Sequence, residues 1–137
     1  MNTSKTIFDT WDFGTDIQLA KKLKDLVLSG KKTATTGLFY PKKTLPKTLD
    51  FGAIKDSQGK VFCIVQYTSI SVLPFLDIQM EFIRKEAEGD TNQDSWRDSH
   101  RSFFVNEYGD FDEDSLMVCT EFKVIETSVS GDTFTFQ

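Results

Sequence analysis

The sequence predicts a mixed α+β domain in which mainly antiparallel strands form a small β-barrel with helices at its rim. Strand-like segments follow one another in runs instead of alternating with helices, which argues against a doubly wound parallel sheet. One amphipathic stretch near the N-terminus and two in the second half supply the flanking helices. With 137 residues the chain is long enough to bury a continuous core, and we expect one domain over residues 1–137.

The first helix is predicted over residues 16–29. Thr15 and Gln18 have the spacing of a capping box, which would start the helix. Gly30 stands where a glycine commonly follows the last helical residue. Apolar residues recur at helical spacing between these two signals, at Ile17, Ala20, Leu23, Leu26 and Val27.

The remaining elements follow from composition and spacing. Segments rich in β-branched and aromatic residues predict strands over 33–40, 51–55, 60–70, 116–125 and 133–136, with turns at 56–59 and 130–132. Helical spacing predicts a second helix over 75–85 and a third that starts near Thr91 or Asn92. An acidic, glycine-containing turn at 86–90 separates these two helices.

The charge of the chain limits its partners. A net charge of −5 argues against binding extended double-stranded DNA by bulk attraction. The charge is uneven, however, because five lysines and no acidic residue lie between Gly30 and Leu49, whereas ten acidic residues lie between Glu86 and Asp114. A local basic face on an acidic protein is compatible with a small anionic ligand or a short stretch of nucleotides.

The sequence predicts a cytoplasmic protein without a membrane partner. No apolar run approaches the ~18 residues that a membrane-spanning helix needs. The N-terminal residues lack the apolar region of a secretory signal. Cys63 and Cys119 each lie in an apolar, strand-like run and are predicted to be buried free thiols.

Several kinds of site are excluded by residue type and spacing. One histidine, with two cysteines that lack metal-ligand spacing, predicts no metal and no cofactor. The segment from Gly30 to Thr33 lacks the first glycine of a P-loop, and its helix precedes its strand instead of following it. No nucleophile elbow is present. We interpret His100, on a charged helix, as a surface or packing residue.

The lysine- and threonine-rich segment SGKKTATT, residues 29–36, is the remaining candidate site. A threonine becomes a nucleophile only beside a base, and a lysine becomes that base only where its surroundings favour the neutral amine. Adjacent strand residues point to opposite faces, so Lys32 and Thr35 would need a kink near Gly30 to meet. A carboxylate from the turn at Glu86 or Glu88 could orient the lysine. An ordinary strand beside a solvated turn is the alternative.

Several ordered segments resemble the ASCH domain of the PUA-like superfamily. LVLSGKKTATTGL (26–38) resembles its GxKxxT signature. Residues 72–104, with an acidic Glu-x-Glu-Gly-Asp turn and a Trp-Arg-x-x-His helix, resemble the second half of its small bacterial stand-alone form. MVCTEFKVI (117–125) resembles its penultimate strand. The match spans about residues 12–125 and implies a PUA-like barrel with a cleft lined by the GxKxxT segment.

The resemblance also implies an activity. Some small bacterial members hydrolyse N4-acylated cytidines, superfamily relatives bind RNA, and ribonuclease activity is ascribed to another member. The resemblance therefore implies a nucleoside, a nucleotide or a short RNA as partner. By this resemblance the catalytic set is Lys32, Thr35 and Glu88, with Glu86 as the alternative carboxylate. Thr35 would attack the acyl carbonyl while Lys32 accepts its proton, and Glu88 would hold the lysine or protonate the departing amine.

Further residues are candidates for ligand binding. Lys31 and Thr33 flank Lys32, where backbone amides could stabilise the acyl oxygen. Tyr40, Trp96 and Arg97 are candidates for stacking on or reading a base, although core packing is an equal alternative for Trp96. The second functional hypothesis is a non-catalytic RNA- or nucleotide-binding module with a basic groove at Lys42, Lys43 and Lys47. A ribonuclease is third, because a single histidine gives it little chemical support.

Overall fold

The computed structural model describes residues 5–89, 92–127 and 134–136. The elements before the long central strand are β1 (Lys5–Trp11), α1 (Ile17–Leu28), β2 (Ala34–Leu38) and β3 (Phe51–Lys55). β4 (Val61–Pro74) leads into a single 3-10 turn at Phe75–Asp77. The chain continues with α2 (Met80–Glu86), α3 (Gln93–Tyr108), β5 (Leu116–Glu126) and β6 (Phe134–Phe136).

The strands form one mixed sheet in the order β2-β5-β4-β3-β1-β6. The pairs β2/β5, β5/β4 and β4/β3 are antiparallel, whereas β1 pairs in parallel with β3 and β6. β4 spans 14 residues, and its first half pairs with β3 while β5 accompanies most of its length. The predicted mainly antiparallel α+β fold with flanking helices is confirmed. Among the described residues, the pairings leave β2 and β6 at opposite ends of the sheet.

Besides a small cluster of Ile7, Ala53 and Ile64, two larger apolar clusters build the core of the described residues. One lies under α1, whose Ala20, Leu23 and Val27 pack towards β4 and Phe122. The other lies under α2 and α3 and holds Phe75, Ile83, Trp96, Phe104 and Met117. Cys63 and Cys119 are buried free thiols, one in each cluster, as predicted.

The start of α1 differs from the prediction. Asp16 is the N-cap, because its Oδ1 accepts a hydrogen bond of 3.0 Å from the Leu19 amide. Thr15, the predicted capping residue, instead directs its hydroxyl to Glu107, 3.3 Å away. Gly30 does follow the end of the helix. Its φ of +79° is unfavourable for residues that have a side chain.

The helix predicted over 75–85 is wrong in its first half. β4 continues to Pro74, a single turn follows, and α2 begins only at Met80. Phe75 and Ile78 do have helical spacing, but Ile78 has extended backbone and both side chains are anchored in the core. The sequence also did not predict β1, which is placed by parallel pairing with β3.

Some of the predicted residues lie outside the described ranges. These are the turn at 130–132 with Thr133, and Asp90 and Thr91 before α3. The described α3 begins after an N-cap at Asn92, whose side chain accepts from the Ser95 amide at 2.8 Å. Of the helices in the described ranges, none combines the length and apolar character needed to cross a bilayer.

Candidate functional site

The loop between α1 and β2 carries Lys32 into the interior. After Gly30 turns the chain, the amides of Lys31 and Lys32 both donate to the Leu26 carbonyl at 3.0 Å. The Thr33 amide then donates to the Lys85 carbonyl at 2.8 Å, which fixes the loop to the end of α2. The Lys32 side chain is 1% exposed, so its charge requires partners inside the protein.

The end of α2 supplies two carboxylates. Ala87 has a φ of +58°, in the left-handed region that costs a non-glycine residue about 1 kcal/mol. Glu86 and Glu88, on either side of it, both reach Lys32. Backbone strain of this kind is concentrated at functional sites, and here it accompanies the convergence of both carboxylates on one ammonium group.

Lys32 is held by the closer of these two carboxylates. Its Nζ donates to Glu88 Oε2 at 2.9 Å and to the Glu86 backbone carbonyl at 3.4 Å. Glu86 Oε2 lies 3.7 Å from the same Nζ. The Glu86 side chain is 2% exposed and that of Glu88 is 17% exposed, so Glu88 is the carboxylate with access to ligand.

His100 completes the cluster from α3. Its Nε2 lies 3.3 Å from Glu86 Oε2 and 3.6 Å from Glu88 Oε2, and its Nδ1 lies 3.0 Å from the Trp96 carbonyl. Burial alone would lower the pKa of His100, but its hydrogen bonds to Glu86 and Glu88 outweigh burial and raise the pKa to about 10. His100 is therefore not a surface residue. It is a packing residue, because its buried ring stacks on Trp96, and its imidazolium is also part of the charged cluster.

The cluster balances its own charge. Burial alone would raise the pKa of Glu88, but the hydrogen bond with His100 and the charge of Lys32 outweigh it and lower the pKa. Two anionic carboxylates thus face two cations, Lys32 and His100. Buried ions persist only when such pairing compensates for their lost hydration.

Thr36 is a cluster member that the sequence did not identify. Its Oγ1 donates to Glu86 Oε1 at 2.6 Å. Lys32, Ala34 and Thr36 all point towards the interior, because every second side chain of an extended chain lies on the same face. Thr35 has the opposite parity but lines the same cavity as Lys32. Within the described ranges, no hydrogen bond engages the Thr35 hydroxyl.

A cavity of about 320 Å³ opens onto this cluster. Lys32, Thr35, Thr36, Glu86, Glu88 and His100 all line it. The opposite walls are mainly apolar and aromatic, with Phe13, Leu23, Phe103, Phe104 and Tyr108. A concave site with apolar walls and a few convergent polar groups is typical of small-molecule binding.

Three of the predicted ligand-binding residues lie away from this cavity. Lys31 is exposed outside it. Thr33 has its amide bound to Lys85 and its carbonyl bound to Phe122, so its backbone has no donor left for an acyl oxygen. Tyr40 is 46% exposed and lines a neighbouring cavity.

Trp96 and Arg97 do not line the cavity either. Trp96 is completely buried, and its ring stacks on His100 and on Phe75, with centroid distances of 4.3 and 5.3 Å. Trp96 is therefore a core-packing residue, and its stacked ring also supports the imidazole of His100. Arg97 donates to the Leu76 carbonyl at 2.6 Å, which fixes α3 to the chain before α2.

The cluster contains the residue types of a metal site, but its carboxylates are already neutralised by Lys32 and by protonated His100. Glu86, Glu88 and His100 each offer one potential ligand atom, and these atoms lie within 4.8 Å of one another. Lys32 already supplies a positive charge 2.9 Å from Glu88. Both nitrogens of His100 are engaged, and a protonated imidazole has no lone pair to offer a metal.

His100 is expected to remain protonated throughout the neutral range. Because His100 is the single histidine of the chain, its ring signals in an NMR titration are unambiguous. We expect no titration between pH 5 and 8 and a midpoint near 10, since the folded pKa is about 10. Its contribution to the free energy of unfolding is then complete below about pH 6.5, the unfolded pKa, and is lost as the pH rises through 10.

A midpoint at pH 6–7 would contradict this assignment. Glu86→Gln supplies the matched control, because it removes one hydrogen-bonded carboxylate and should bring the His100 midpoint down towards neutrality. The pH dependence of urea unfolding gives a second measurement, in which the wild type loses stability as the pH rises from about 6.5 to 10 and His100→Asn lacks this loss.

Comparison with known proteins identifies the family of the chain. The sequence model of the ASCH domain matches residues 9–126. The crystal structure of an ASCH domain from Lactobacillus crispatus JV V101 has a TM-score of 0.75 at 30% identity, covering 91% of this chain and 82% of that one. Protein EF3133 from Enterococcus faecalis V583 has a TM-score of 0.77 at 29% identity, covering 90% and 84%.

A third structure supports the fold alone, and the curated proteins add nothing. Hypothetical protein PH0355 has a TM-score of 0.63 at 17% identity, covering 85% of this chain and 98% of that one. No curated protein matches the sequence. Since the family model covers most of the sequence and the solved ASCH domain shares its fold, the chain belongs to the ASCH domain family, within the PUA-like superfamily.

Proposed function

We propose that this protein is a small amidohydrolase that acts on an N-acylated nucleoside such as N4-acetylcytidine. The observation that carries the proposal is the partly buried Lys32–Glu88 hydrogen bond of 2.9 Å on the wall of a cavity that Thr35 also lines. This bond joins Glu88, a proton acceptor, to Lys32, a proton donor. The Thr35 hydroxyl on the same cavity wall makes no hydrogen bond within the described residues.

The reaction begins with attack by Thr35. Its Oγ1 forms a bond to the acyl carbon while the hydroxyl proton passes to Lys32, which gives up one of its own protons to Glu88. The tetrahedral intermediate then breaks its C–N bond, and protonated Glu88 transfers its proton to the departing amine. Water hydrolyses the threonine ester and releases the acid. Lys32 begins and ends the acylation step with the same number of protons.

The charge and shape of the cavity favour a neutral substrate. The cluster of Lys32, Glu86, Glu88 and His100 has no net charge, and Asp12 and Glu107 also line the cavity. An anionic phosphate would meet more negative than positive charge here, which argues against a ribonuclease. The aromatic walls at Phe13, Phe103 and Phe104 suit a planar base.

Nucleotide binding without catalysis is the second candidate function. PUA-like folds are of a nucleic-acid-binding type, and Lys42, Lys43 and Lys47 are exposed in the loop between β2 and β3. Lys43 also lines the neighbouring cavity. These lysines form a local basic segment in an otherwise acidic protein.

The proposal is tested by following hydrolysis of N4-acetylcytidine chromatographically with the purified protein. We expect the wild type to release cytidine and acetate, and Thr35→Ala to reduce turnover by at least about 10³-fold, because the nucleophile is lost. Thr35→Ser should retain turnover, since it keeps the hydroxyl. Thr48→Ala, which alters an exposed loop threonine, serves as the control.

Two outcomes would contradict the proposal. Full activity in Thr35→Ala would exclude a threonine ester. Absence of hydrolysis by the wild type, combined with binding of cytidine in the same cavity, would favour the nucleotide-binding function.

A further inference from the structure

A second cavity adjoins the first along β2. Its volume is about 250 Å³. Asp12, Thr35, Thr36 and Tyr108 line both cavities, so a ligand seated against Thr35 in the first has the second directly beside it. The mechanism proposed above uses no group of the second cavity except Thr35.

A built hydrogen-bond network presents Asp9 on the wall of this cavity. Tyr67, which is 1% exposed, donates its hydroxyl to Asp9 Oδ1 at 2.5 Å and accepts from Trp11 Nε1 at 2.9 Å. A side chain at Gly52 would collide with the Tyr67 hydroxyl and approach Asp9 Oδ1, so the network depends on glycine there. Within the described ranges, Tyr67 is the one side chain that donates a hydrogen bond to the Asp9 carboxylate.

The second cavity differs chemically from the first. Hydroxyl groups are prominent among its walls, from Thr10, Thr44, Thr120, Tyr40 and Tyr108. A half-buried carboxylate can accept several hydrogen bonds, so Asp9 can take a hydroxyl donor from a ligand beside the hydroxyl of Tyr67. A ligand part that carries several hydroxyls and no negative charge satisfies these groups best. The sugar of a nucleoside has this chemistry. A phosphate would meet the charge of Asp9 as well as that of Lys43, which lines the same cavity and already acts on Asp9.

We propose that the second cavity is a ribose subsite, in which Asp9 accepts a hydrogen bond from the 2′- or 3′-hydroxyl of the nucleoside whose acylated base occupies the first cavity. This inference rests on the proposed function and narrows its substrate class to ribonucleosides. The base and the ribose are joined by one glycosidic bond, which matches two cavities that share four wall residues.

The test compares three substrates that differ only in the sugar: N4-acetylcytidine, N4-acetyl-2′-deoxycytidine and N4-acetylcytosine. For the wild type we expect kcat/KM to fall roughly tenfold to hundredfold from the ribonucleoside to the free base, because a hydrogen bond to a carboxylate is lost. Asp9→Asn keeps an oxygen for Tyr67 but turns an amide donor towards the ligand, and it should reduce this ratio to near one.

Asp50→Asn provides the matched control. It removes a negative charge close enough to act on Asp9, yet Asp50 does not line the cavity, so the substrate ratio should remain that of the wild type. Equal kcat/KM for all three substrates in the wild type, or an unchanged ratio in Asp9→Asn, would overturn the ribose subsite.

Binding measurements separate this inference from the proposed reaction. If the wild type hydrolyses none of the three amides, calorimetric titration can compare its affinities for cytidine, 2′-deoxycytidine and cytosine. These affinities then test the ribose subsite without the reaction. Tighter binding of cytidine that disappears in Asp9→Asn would support the subsite while the amidohydrolase fails. Equal binding of all three products, or binding of none, would overturn the subsite as well.

Discussion

Replacing Lys32 by methionine is expected to lower kcat for N4-acetylcytidine about 10²–10⁴-fold, the usual contribution of a positioned acid or base. The same change should reduce the free energy of unfolding by about 3–5 kcal/mol, because it leaves two buried carboxylates facing only one cation. The Lys32 side chain is 1% exposed, so water cannot compensate for the missing ammonium. Turnover and urea unfolding of the same preparations measure the two effects.

Two further variants separate catalysis from folding. Lys31→Met changes the neighbouring exposed lysine and should leave both quantities close to the wild type. The double variant Lys32→Met/Glu88→Gln restores neutrality to the cluster and should recover much of the stability, but no turnover. Wild-type turnover in Lys32→Met would exclude the lysine from the reaction, and recovery of turnover in the double variant would show that charge balance alone matters.

The sequence identified most residues of the site, but it did not predict which side chains contact one another. Lys32 was identified by its motif, and both carboxylates considered for the third role, Glu86 and Glu88, do converge on it. The alternation of side chains along a strand predicted that Lys32 and Thr35 lie on opposite faces. The same alternation explains why Thr36, and not Thr35, reaches Glu86. No local signal in the sequence distinguishes Thr36, because its role depends on the position of α2.

His100 was missed for a related reason. Its charge state is set by Glu86 and Glu88, which are 14 and 12 positions away and belong to a different element. Trp96 illustrates the reverse case, since an aromatic residue on a polar helix is compatible with a ligand platform or with a core position. Only the packing of α3 against the 3-10 turn at Phe75–Asp77 decides for the core.

The fold shows the same division between local and long-range information. The end of α1 at Gly30 and the strand-like segment 51–55 follow from spacing and composition close in sequence. β1 was not predicted, because its short, mixed sequence becomes a strand through parallel pairing with β3, more than 40 residues later. The apolar spacing from Phe75 imitates a helix because two anchors happen to lie three residues apart.

The cluster explains why an acidic protein places two lysines together at residues 31 and 32. Lys31 remains in solvent, whereas Lys32 neutralises carboxylates that a ligand cavity would otherwise expose. Since neither Glu86 nor Glu88 could be buried alone without a large cost, the lysine is a structural requirement as well as a candidate catalytic group. A test of function at this site must therefore separate the two carboxylates.

Glutamine substitutions at Glu86 and Glu88 are expected to have different consequences. Glu88 is the more exposed carboxylate and lies 2.9 Å from Lys32, so Glu88→Gln should lower kcat about 10²–10⁴-fold by removing the proton carrier. Glu86 is 2% exposed and holds His100 and Thr36, so Glu86→Gln should chiefly lower the free energy of unfolding, by about 3–5 kcal/mol. Each glutamine keeps the shape of the side chain while removing its charge.

The comparison is decided by the pattern across both variants. Turnover of N4-acetylcytidine and urea unfolding are measured for each, and kcat is compared under conditions in which both proteins are folded. A loss of turnover confined to Glu86→Gln would transfer the proton-carrying role to Glu86, with Thr36 as its nearest hydroxyl at 2.6 Å. Wild-type turnover in both would remove the carboxylates from the reaction and leave their ion pairs with Lys32 and His100 as a contribution to folding alone.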